Sequence, residues 1–143
     1  MISDTHQQLL QCWFQGLEQG CIDDLSQLFI RYPWIRNGGD GPMQGSDAPQ
    51  RLLRELFERT SSRHFTIIDA AYEDRQLFVR WDGNVTLAAG FRLGSVTLSK
   101  PAILNLRGIK RFQLDARGRI EQLEIVHDVV SIETDQTNVE RAA

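Results

Sequence analysis

The stretch "RGIKRFQLDARGRIEQLEIVHD", residues 107–128, has the pattern of two antiparallel strands joined by a tight turn. Apolar and polar residues alternate along both arms, and "DARG" between them supplies the aspartate and glycine that tight turns favour. The second arm leads to the neighbours His127 and Asp128. Neighbouring residues of a strand point to opposite faces of a sheet, so this pair is split between the two faces. Leu123 and Ile125 share the face of His127.

Sequence patterns upstream of this hairpin divide the chain into helices followed by strands. The two-residue period of strands is found at 64–73, 76–92, 96–114 and 119–131, with turns at 74–75 and 94–95. The N-terminal part has the 3.6-residue period of amphipathic helices, which we predict at 4–19, 23–29 and 47–59. Pro33 excludes helix, so a short strand at Trp34 and Ile35 separates the last two helices. This order predicts an α+β fold in which three helices lie on the concave face of a curved, mainly antiparallel meander sheet.

The composition is that of one globular domain. The chain has 143 residues, of which 41% are hydrophobic and 24% charged. We assign residues 1–133 to the domain and the polar residues 134–143 to a tail that we expect to be disordered. The formal net charge of −3 argues against a nucleic acid as the main partner, because duplex binding requires a basic face. No apolar run approaches the roughly 20 residues that cross a bilayer, and the first residues lack a signal-peptide pattern, so we expect a cytoplasmic protein with no membrane partner.

The sequence has no pattern for a metal or a nucleotide cofactor. Cys12 and Cys21 have no cysteine or histidine partners at metal-binding spacing, and we expect both to be free thiols. The segment "GGDG" at 38–41 lacks the lysine and the hydroxyl residue of a phosphate-binding loop. We interpret it as a flexible loop at the mouth of a cavity, from which Asp40 could reach inward. We therefore expect neither a metal nor a cofactor.

The helix-rich first half is followed by three short motifs: "RW" at 80–81, "RGIKRF" at 107–112 and "GRIEQLEIVHD" at 118–128. Together they resemble the nuclear transport factor 2-like superfamily, and within it the SnoaL-like polyketide cyclases. The resemblance covers residues 5–131 and implies a cystatin-like cone whose interior holds a small hydrophobic molecule. Limonene-epoxide hydrolases and ketosteroid isomerases belong to the same superfamily, so the resemblance implies a fold more strongly than an activity.

The acids of two related enzyme groups are missing from this chain. The aspartate that acts as base in SnoaL-type cyclases falls on Ile125. The two acids of the ketosteroid isomerases fall near Asn37 and Lys110, and their tyrosine falls near Trp13. The resemblance therefore implies the position of a pocket without supplying the usual base.

The limonene-epoxide hydrolases are matched at three of five positions. Their arginine and aspartate correspond to Arg80 and Asp82, and their asparagine falls near Asn37. Their tyrosine falls on Ile35 and their remaining aspartate on Ile125. Water activation in that chemistry uses both acids, so epoxide hydrolysis is not expected.

Strand alternation indicates which side chains face the cavity. Lys110 shares a face with Leu106 and Phe112, and this is the more apolar face of its strand. We therefore expect Lys110 to point inward. If Ile125 occupies the inward position that the resemblance implies, His127 points inward as well.

The resemblance adds Arg80 and Asp82, which share a face with Phe78, to the same wall. The predicted polar cluster then consists of five residues: Asn37, Arg80, Asp82, Lys110 and His127. Asp82 or His127 would be a general base, Arg80 and Lys110 would stabilise a developing oxyanion, and Asn37 would position the substrate. The alternative is that Arg80, Asp82 and Lys110 form an ion-pair network with a purely structural role.

Apolar and aromatic residues complete the predicted site. The expected pocket wall comprises Trp13, Trp34, Asn37, Phe78, Leu106, Phe112 and Ile125. Trp81 alternates away from Arg80 and is expected on the outer face of the sheet. An apolar outer face needs cover, so a homodimer through the sheet is expected, and the resemblance implies the same.

Two functions are compatible with these observations. The first is a cofactor-independent isomerase or cyclase that abstracts a proton from a small hydrophobic substrate. The second is a ligand-binding or dimeric assembly module without catalysis, which the missing acids favour. A substitution of Asp82 that removed activity without lowering stability would indicate the first.

Overall fold

A computed structural model of the chain describes residues 2–39, 41–93, 96–134 and 139–140. The helices are α1 (Asp4–Gln19), α2 (Ile22–Ser26) and α3 (Ala48–Arg59). The strands are β1 (Phe29–Asn37), β2 (Met43–Gln44), β3 (Thr60–Glu73), β4 (Gln76–Leu87), β5 (Arg92–Leu93), β6 (Val96–Thr97), β7 (Ala102–Leu114), β8 (Ile120–Thr134) and β9 (Val139–Glu140). The predicted α+β fold is confirmed.

Helix α1 has the bounds 4–19 that its period predicts. The Ser3 side chain accepts a hydrogen bond from the backbone N–H of His6 at 3.2 Å and caps the first turn. Gly20 ends the helix at a φ of 73°, a left-handed conformation that glycine adopts without steric cost. The apolar stripe of the helix, with Trp13 and Phe14 at its centre, is buried.

The main sheet is mixed, with the strand order β2-β1-β8-β7-β4-β3. The four long strands β3, β4, β7 and β8 pair antiparallel with one another, which is the predicted meander. Asp74 and Arg75 join β3 to β4 with positive φ values of 50° and 61°, the backbone twist of a tight hairpin. β1 adds a strand parallel to β8, and β9 pairs with the end of β8.

Several boundaries differ from the sequence prediction, among them the start of β3, which lies at Thr60 and not at residue 64. Phe29, predicted in a helix, begins β1, because Pro33 and the alternating burial around it suit an extended chain. The single strand predicted at 76–92 ends at Leu87, and the short hairpin of β5 and β6 follows it as a separate sheet. The strand predicted at 96–114 is divided, and β7 begins only after Pro101. Proline has no N–H to donate within a sheet interior.

The C-terminal segment is more ordered over its described part than expected. β8 continues to Thr134, and Val139 and Glu140 pair with Glu133 and Ile132. The rest of the predicted tail lies outside the described residues. The same holds for Asp40 and for the turn predicted at 94–95.

The core lies between the helices and the inner face of the sheet. Trp13 of α1 packs edge-on against Phe112 of β7, with ring centroids 5.5 Å apart. Phe14 meets Phe65 of β3 at 5.7 Å and Trp81 of β4 at 6.5 Å. These aromatic contacts hold α1 across the sheet and define one side of an internal cavity.

Candidate functional site

A cavity of about 310 Å³ lies between the helices and the inner face of the sheet. Residues of α1, α3 and the strands β3, β4, β7 and β8 contribute to its wall, which is mostly apolar. Its polar lining residues are Asn37, Glu55, Arg59, Thr60, Lys110 and His127. A volume of this size is at the lower end of the roughly 300–1,000 Å³ of small-molecule pockets.

Lys110 is the most buried charged group of the site. The residue is 4% exposed, and its side chain has no ion pair or hydrogen bond to any described residue. Four aromatic rings surround its ammonium instead. The Nζ atom lies 4.7 Å from the ring centroid of Phe14, 5.0 Å from Trp81, 5.3 Å from Trp13 and 5.4 Å from Phe65. These faces attract a cation, and we call the four rings the aromatic cage.

Burial changes the acidity of this lysine. Transfer of an ammonium from water into an apolar interior is costly, and this desolvation lowers the pKa of Lys110 from 10.5 to about 7. At neutral pH both the charged and the uncharged amine are therefore present. A lysine of this kind can act as a base or a nucleophile.

His127 shares the cavity wall with Lys110. It is paired with Gly108 in the register of β7 and β8, and its ring lies 6.3 Å from that of Trp81. Desolvation lowers the pKa of His127, the charge of Lys110 lowers it further, and Asp128 opposes both. The imidazole is therefore uncharged near pH 7, which is the state of a general base.

A glycine allows Trp81 to reach the cavity. Gly108 lies directly across from Trp81 in the register of β4 and β7. A Cβ atom at position 108 would lie 2.6 Å from the indole ring of Trp81 and 2.6 Å from the backbone oxygen of Val126. The indole thus packs over bare backbone, with its ring centroid 5.0 Å from Lys110 Nζ and 6.3 Å from the His127 ring.

The polar groups near Lys110 are hydrogen-bond donors. The buried indole N–H groups of Trp13 and Trp81, like Lys110, have no acceptor among the described residues. Among the described lining residues the single carboxylate is that of Glu55, which pairs with Arg59 at 2.8 Å on the exposed side of α3. Lys110 and the two indoles thus carry donors that have no acceptor among the described residues.

Asn37 lies at the end of β1, where the parallel pairing with β8 brings it beside Ile125. Both line the cavity, as do Trp13 and Leu106. The backbone N–H of Gly38 donates a hydrogen bond of 2.7 Å to the carbonyl of Ile125 and fixes this corner. The roles predicted for these residues stay predictions.

The expected positions of Arg80, Asp82 and Phe78 are wrong. All three point to the outer face of the sheet, where Arg80 pairs with Asp69 at 2.8 Å and Asp82 lies 3.7 Å from Arg107. Both pairs are exposed. Burial of an arginine and a carboxylate is costly, so the apolar residues that alternate with them along β4 face the core instead.

Three aromatic positions are corrected by the same alternation. Trp81 is 2% exposed on the inner face, not on the outer one. Phe112 is buried in the core against Trp13 and does not line the cavity. Trp34 is half-buried on β1, away from the cavity wall, where the Arg36 guanidinium lies 5.2 Å from its ring centroid.

Sequence reasoning missed most of the aromatic cage. Trp13 was expected at the pocket, whereas Phe14, Phe65 and Trp81 were not. The signal was present in part: Leu77, Val79 and Trp81 alternate along β4 and mark its buried face.

Within the described ranges no group of histidine, cysteine or acidic residues could hold a metal ion, and none of the three helices has the length and apolar character to cross a membrane.

Several solved structures share this fold of helices packed on one face of a mixed sheet. A protein assigned as a SnoaL-like polyketide cyclase from Shewanella denitrificans OS-217 has the same fold, with a TM-score of 0.74 at 14% identity over 88% of this chain and 92% of that one. A nuclear transport factor 2-like protein of unknown function from Exiguobacterium sp. 255-15 matches at 0.68 and 20% identity, over 84% and 98% of the chains.

A third solved structure is the epoxide hydrolase/cyclase-like enzyme SalBIII, which has a role in pyran ring formation in the polyether salinomycin. It matches with a TM-score of 0.68 at 12% identity over 91% of this chain and 95% of that one. No protein-family model matches the chain, and no curated protein matches it by sequence. The chain has the fold of the SnoaL-like and nuclear transport factor 2-like proteins, as the sequence motifs predicted.

Proposed function

We propose that the cavity binds a small hydrophobic carbonyl compound and that the protein catalyses a proton shift on it, as in an isomerisation or a cyclisation. The observation that carries the proposal is the pair of Lys110 and His127 on one wall of an apolar cavity. A carbonyl oxygen would supply an acceptor for the unpaired donors of the interior. The apolar wall suits the remainder of such a molecule.

The two side chains suit complementary steps. The uncharged imidazole of His127 would take a proton from the carbon beside the carbonyl. The ammonium form of Lys110 would stabilise the negative charge that then develops on the carbonyl oxygen. Asn37 would position the substrate at the end of β1. Asp82, the other base considered from the sequence, points away from the cavity and has no part in this proposal.

A model ketone tests the proton shift. We expect the protein to accelerate exchange of the α-hydrogens of 2-tetralone for deuterium, followed by NMR in D₂O near neutral pH. His127→Gln should lower the accelerated rate by about 100-fold or more, the usual contribution of a general base. His64→Gln is the matched control, because His64 is exposed on β3 outside this cavity.

Two results would contradict the proposal. Equal exchange in the wild type and His127→Gln would exclude His127 as the base. Saturable binding of 2-tetralone, seen as quenching of the cavity tryptophans, without any exchange would instead support the non-catalytic binding module.

We also propose that a second copy of the chain covers the outer face of the sheet. Ile109 and Val126 are register partners there and are 51% and 60% exposed, and Phe78 is 40% exposed. The ion pairs Arg80–Asp69 and Arg107–Asp82 lie on the same face. Charges of both signs around an apolar centre suit a surface that pairs with itself.

A charge at the centre of this face should separate the copies. Val126→Glu is expected to convert a dimer to a monomer, measured by light scattering after size-exclusion chromatography. Gln11→Glu, which adds the same charge at an exposed position of α1, should leave the mass unchanged. A monomeric wild type, or a Val126→Glu variant that stays dimeric, would refute this assembly.

A further inference from the structure

The chain has only two lysines, Lys100 and Lys110, among its 16 basic residues. Lys100 is exposed just before β7, whereas Lys110 is buried at the cavity wall. The amine of Lys110 has no carboxylate partner among the described residues. The cavity therefore contains an amine that is not engaged by an anion.

We infer that Lys110 is a nucleophile that condenses with the carbonyl carbon of an aldehyde or an unhindered ketone held in the cavity. The inference rests on the proposed function, since it requires that the cavity bind a carbonyl compound. It goes further because it assigns a covalent imine intermediate to this site. In this role Lys110 becomes bonded to the substrate.

The step is balanced without a further reagent. The lone pair of the amine attacks the carbonyl carbon, and the π electrons of the C=O bond move to oxygen. Proton transfers give a carbinolamine, whose hydroxyl group takes up one further proton and leaves as a molecule of water, so that a protonated C=N bond remains. That proton is the one that the Lys110 ammonium released to form the free amine, so ammonium and carbonyl give protonated imine and water overall. Hydrolysis reverses the sequence and restores both the amine and the carbonyl. No oxidant or reductant is consumed.

The aromatic cage favours this chemistry in two ways. First, the rings bury the amine without pairing it to an anion, and this burial lowers the pKa of Lys110 to about 7. The uncharged amine, which is the nucleophilic form, is therefore present at neutral pH. Second, the protonated imine is again a cation at nearly the position of the ammonium. The four ring faces that lie 4.7–5.4 Å from Nζ can stabilise it as well.

The imine connects Lys110 to His127. A protonated C=N bond withdraws electrons more strongly than a carbonyl, so the hydrogens on the adjacent carbon become more acidic. His127 lines the same cavity and is the group placed to remove such a hydrogen. The other titratable or charged lining residues, Glu55 and Arg59, pair with each other.

Reductive trapping tests the inference with the wild-type protein. The chain is incubated at pH 7 with 2-naphthaldehyde and sodium cyanoborohydride, which reduces an imine to a stable secondary amine. Cleavage after arginine places Lys110 in the peptide 108–111 and Lys100 in the preceding one, so mass spectrometry quantifies both within one sample. We expect trapping on Lys110 at least 10-fold faster than on Lys100.

Variants and binding separate the possible failures. Lys100→Arg should leave trapping unchanged, and Lys110→Arg, which keeps a cation that forms no imine under these conditions, should abolish it at the cavity. Two results would overturn the inference and leave the proposed function intact. The first is equal trapping at both lysines. The second is no trapping on Lys110 although 2-tetralone binds and exchanges its hydrogens. Absence of both binding and exchange would overturn the two together.

Discussion

Lys110→Met is expected to make the folded protein more stable while it removes the proposed chemistry. The methionine side chain is of similar length, has no charge to desolvate and packs well against aromatic rings. The lysine it replaces is buried without an ion pair to any described residue. Replacement of buried charge by a well-packed apolar side chain is often stabilising.

The size of the gain follows from the acidity of Lys110. A fall in pKa from 10.5 to about 7 corresponds to about 5 kcal/mol at 1.36 kcal/mol per unit. Methionine also forgoes the attraction of the aromatic cage for the ammonium. We expect the variant to be about 3–5 kcal/mol more stable to urea unfolding at pH 6.

The gain should depend on pH in a defined direction. The unfolded chain keeps the Lys110 proton up to pH 10.5, whereas the folded chain keeps it only up to about pH 7. Between these values the unfolded state binds more protons, so the stability of the wild type rises with pH. The advantage of methionine is therefore full below pH 7 and disappears towards pH 10.5. Glu55 and Arg59 are present in both proteins, whereas the pKa of His127, which the charge of Lys110 lowers, should rise in Lys110→Met.

Urea unfolding of both proteins at a series of pH values measures this difference. Lys100→Met is the matched control and should change stability little, because Lys100 is exposed. A Lys110→Met variant less stable than the wild type at pH 6 would contradict the account. So would an advantage that grows with rising pH.

Most of the fold could be predicted from periodicity. The limits of α1 were predicted to the residue, and the four-strand meander followed from alternation and two tight turns. The parallel strand β1 was foreseen only as a short piece at Trp34 and Ile35. Its full length depends on pairing with β8, a contact between distant parts of the chain that local patterns do not report.

The candidate site was predicted only where burial decided the choice. Lys110 was assigned inward because it lies on the more apolar face of its strand, and the structure places it there. Arg80 and Asp82 were assigned inward by their likeness to an enzyme motif, against the apolar alternation of Leu77 and Val79. Burying two charges is costly, and a match to a motif does not offset that cost. The rule used for Lys110, that the more apolar face of a strand points inward, would have given the observed orientation of β4.

The aromatic cage could not be read from the sequence. Its rings come from α1, β3 and β4, and their common distance to one Nζ atom depends on how the helix crosses the sheet. The space for the Trp81 ring depends on Gly108 of the neighbouring strand. Such convergence is a property of the packed structure.

The titration of Lys110 is the second large effect. With only two lysines in the chain, ¹³C-labelling of the lysine ε-carbon gives two NMR signals, and Lys100→Arg assigns them. We expect the Lys110 signal to titrate near pH 7, because its ammonium is desolvated and lacks an anionic partner.

This NMR titration tests most directly whether an unpaired amine lies within the aromatic cage. The account predicts that the Lys110 signal titrates near pH 7 and that this signal is lost in Lys110→Met. A Lys110 signal that titrates near pH 10.5 would show that Lys110 is solvated or paired, and would contradict the site described above.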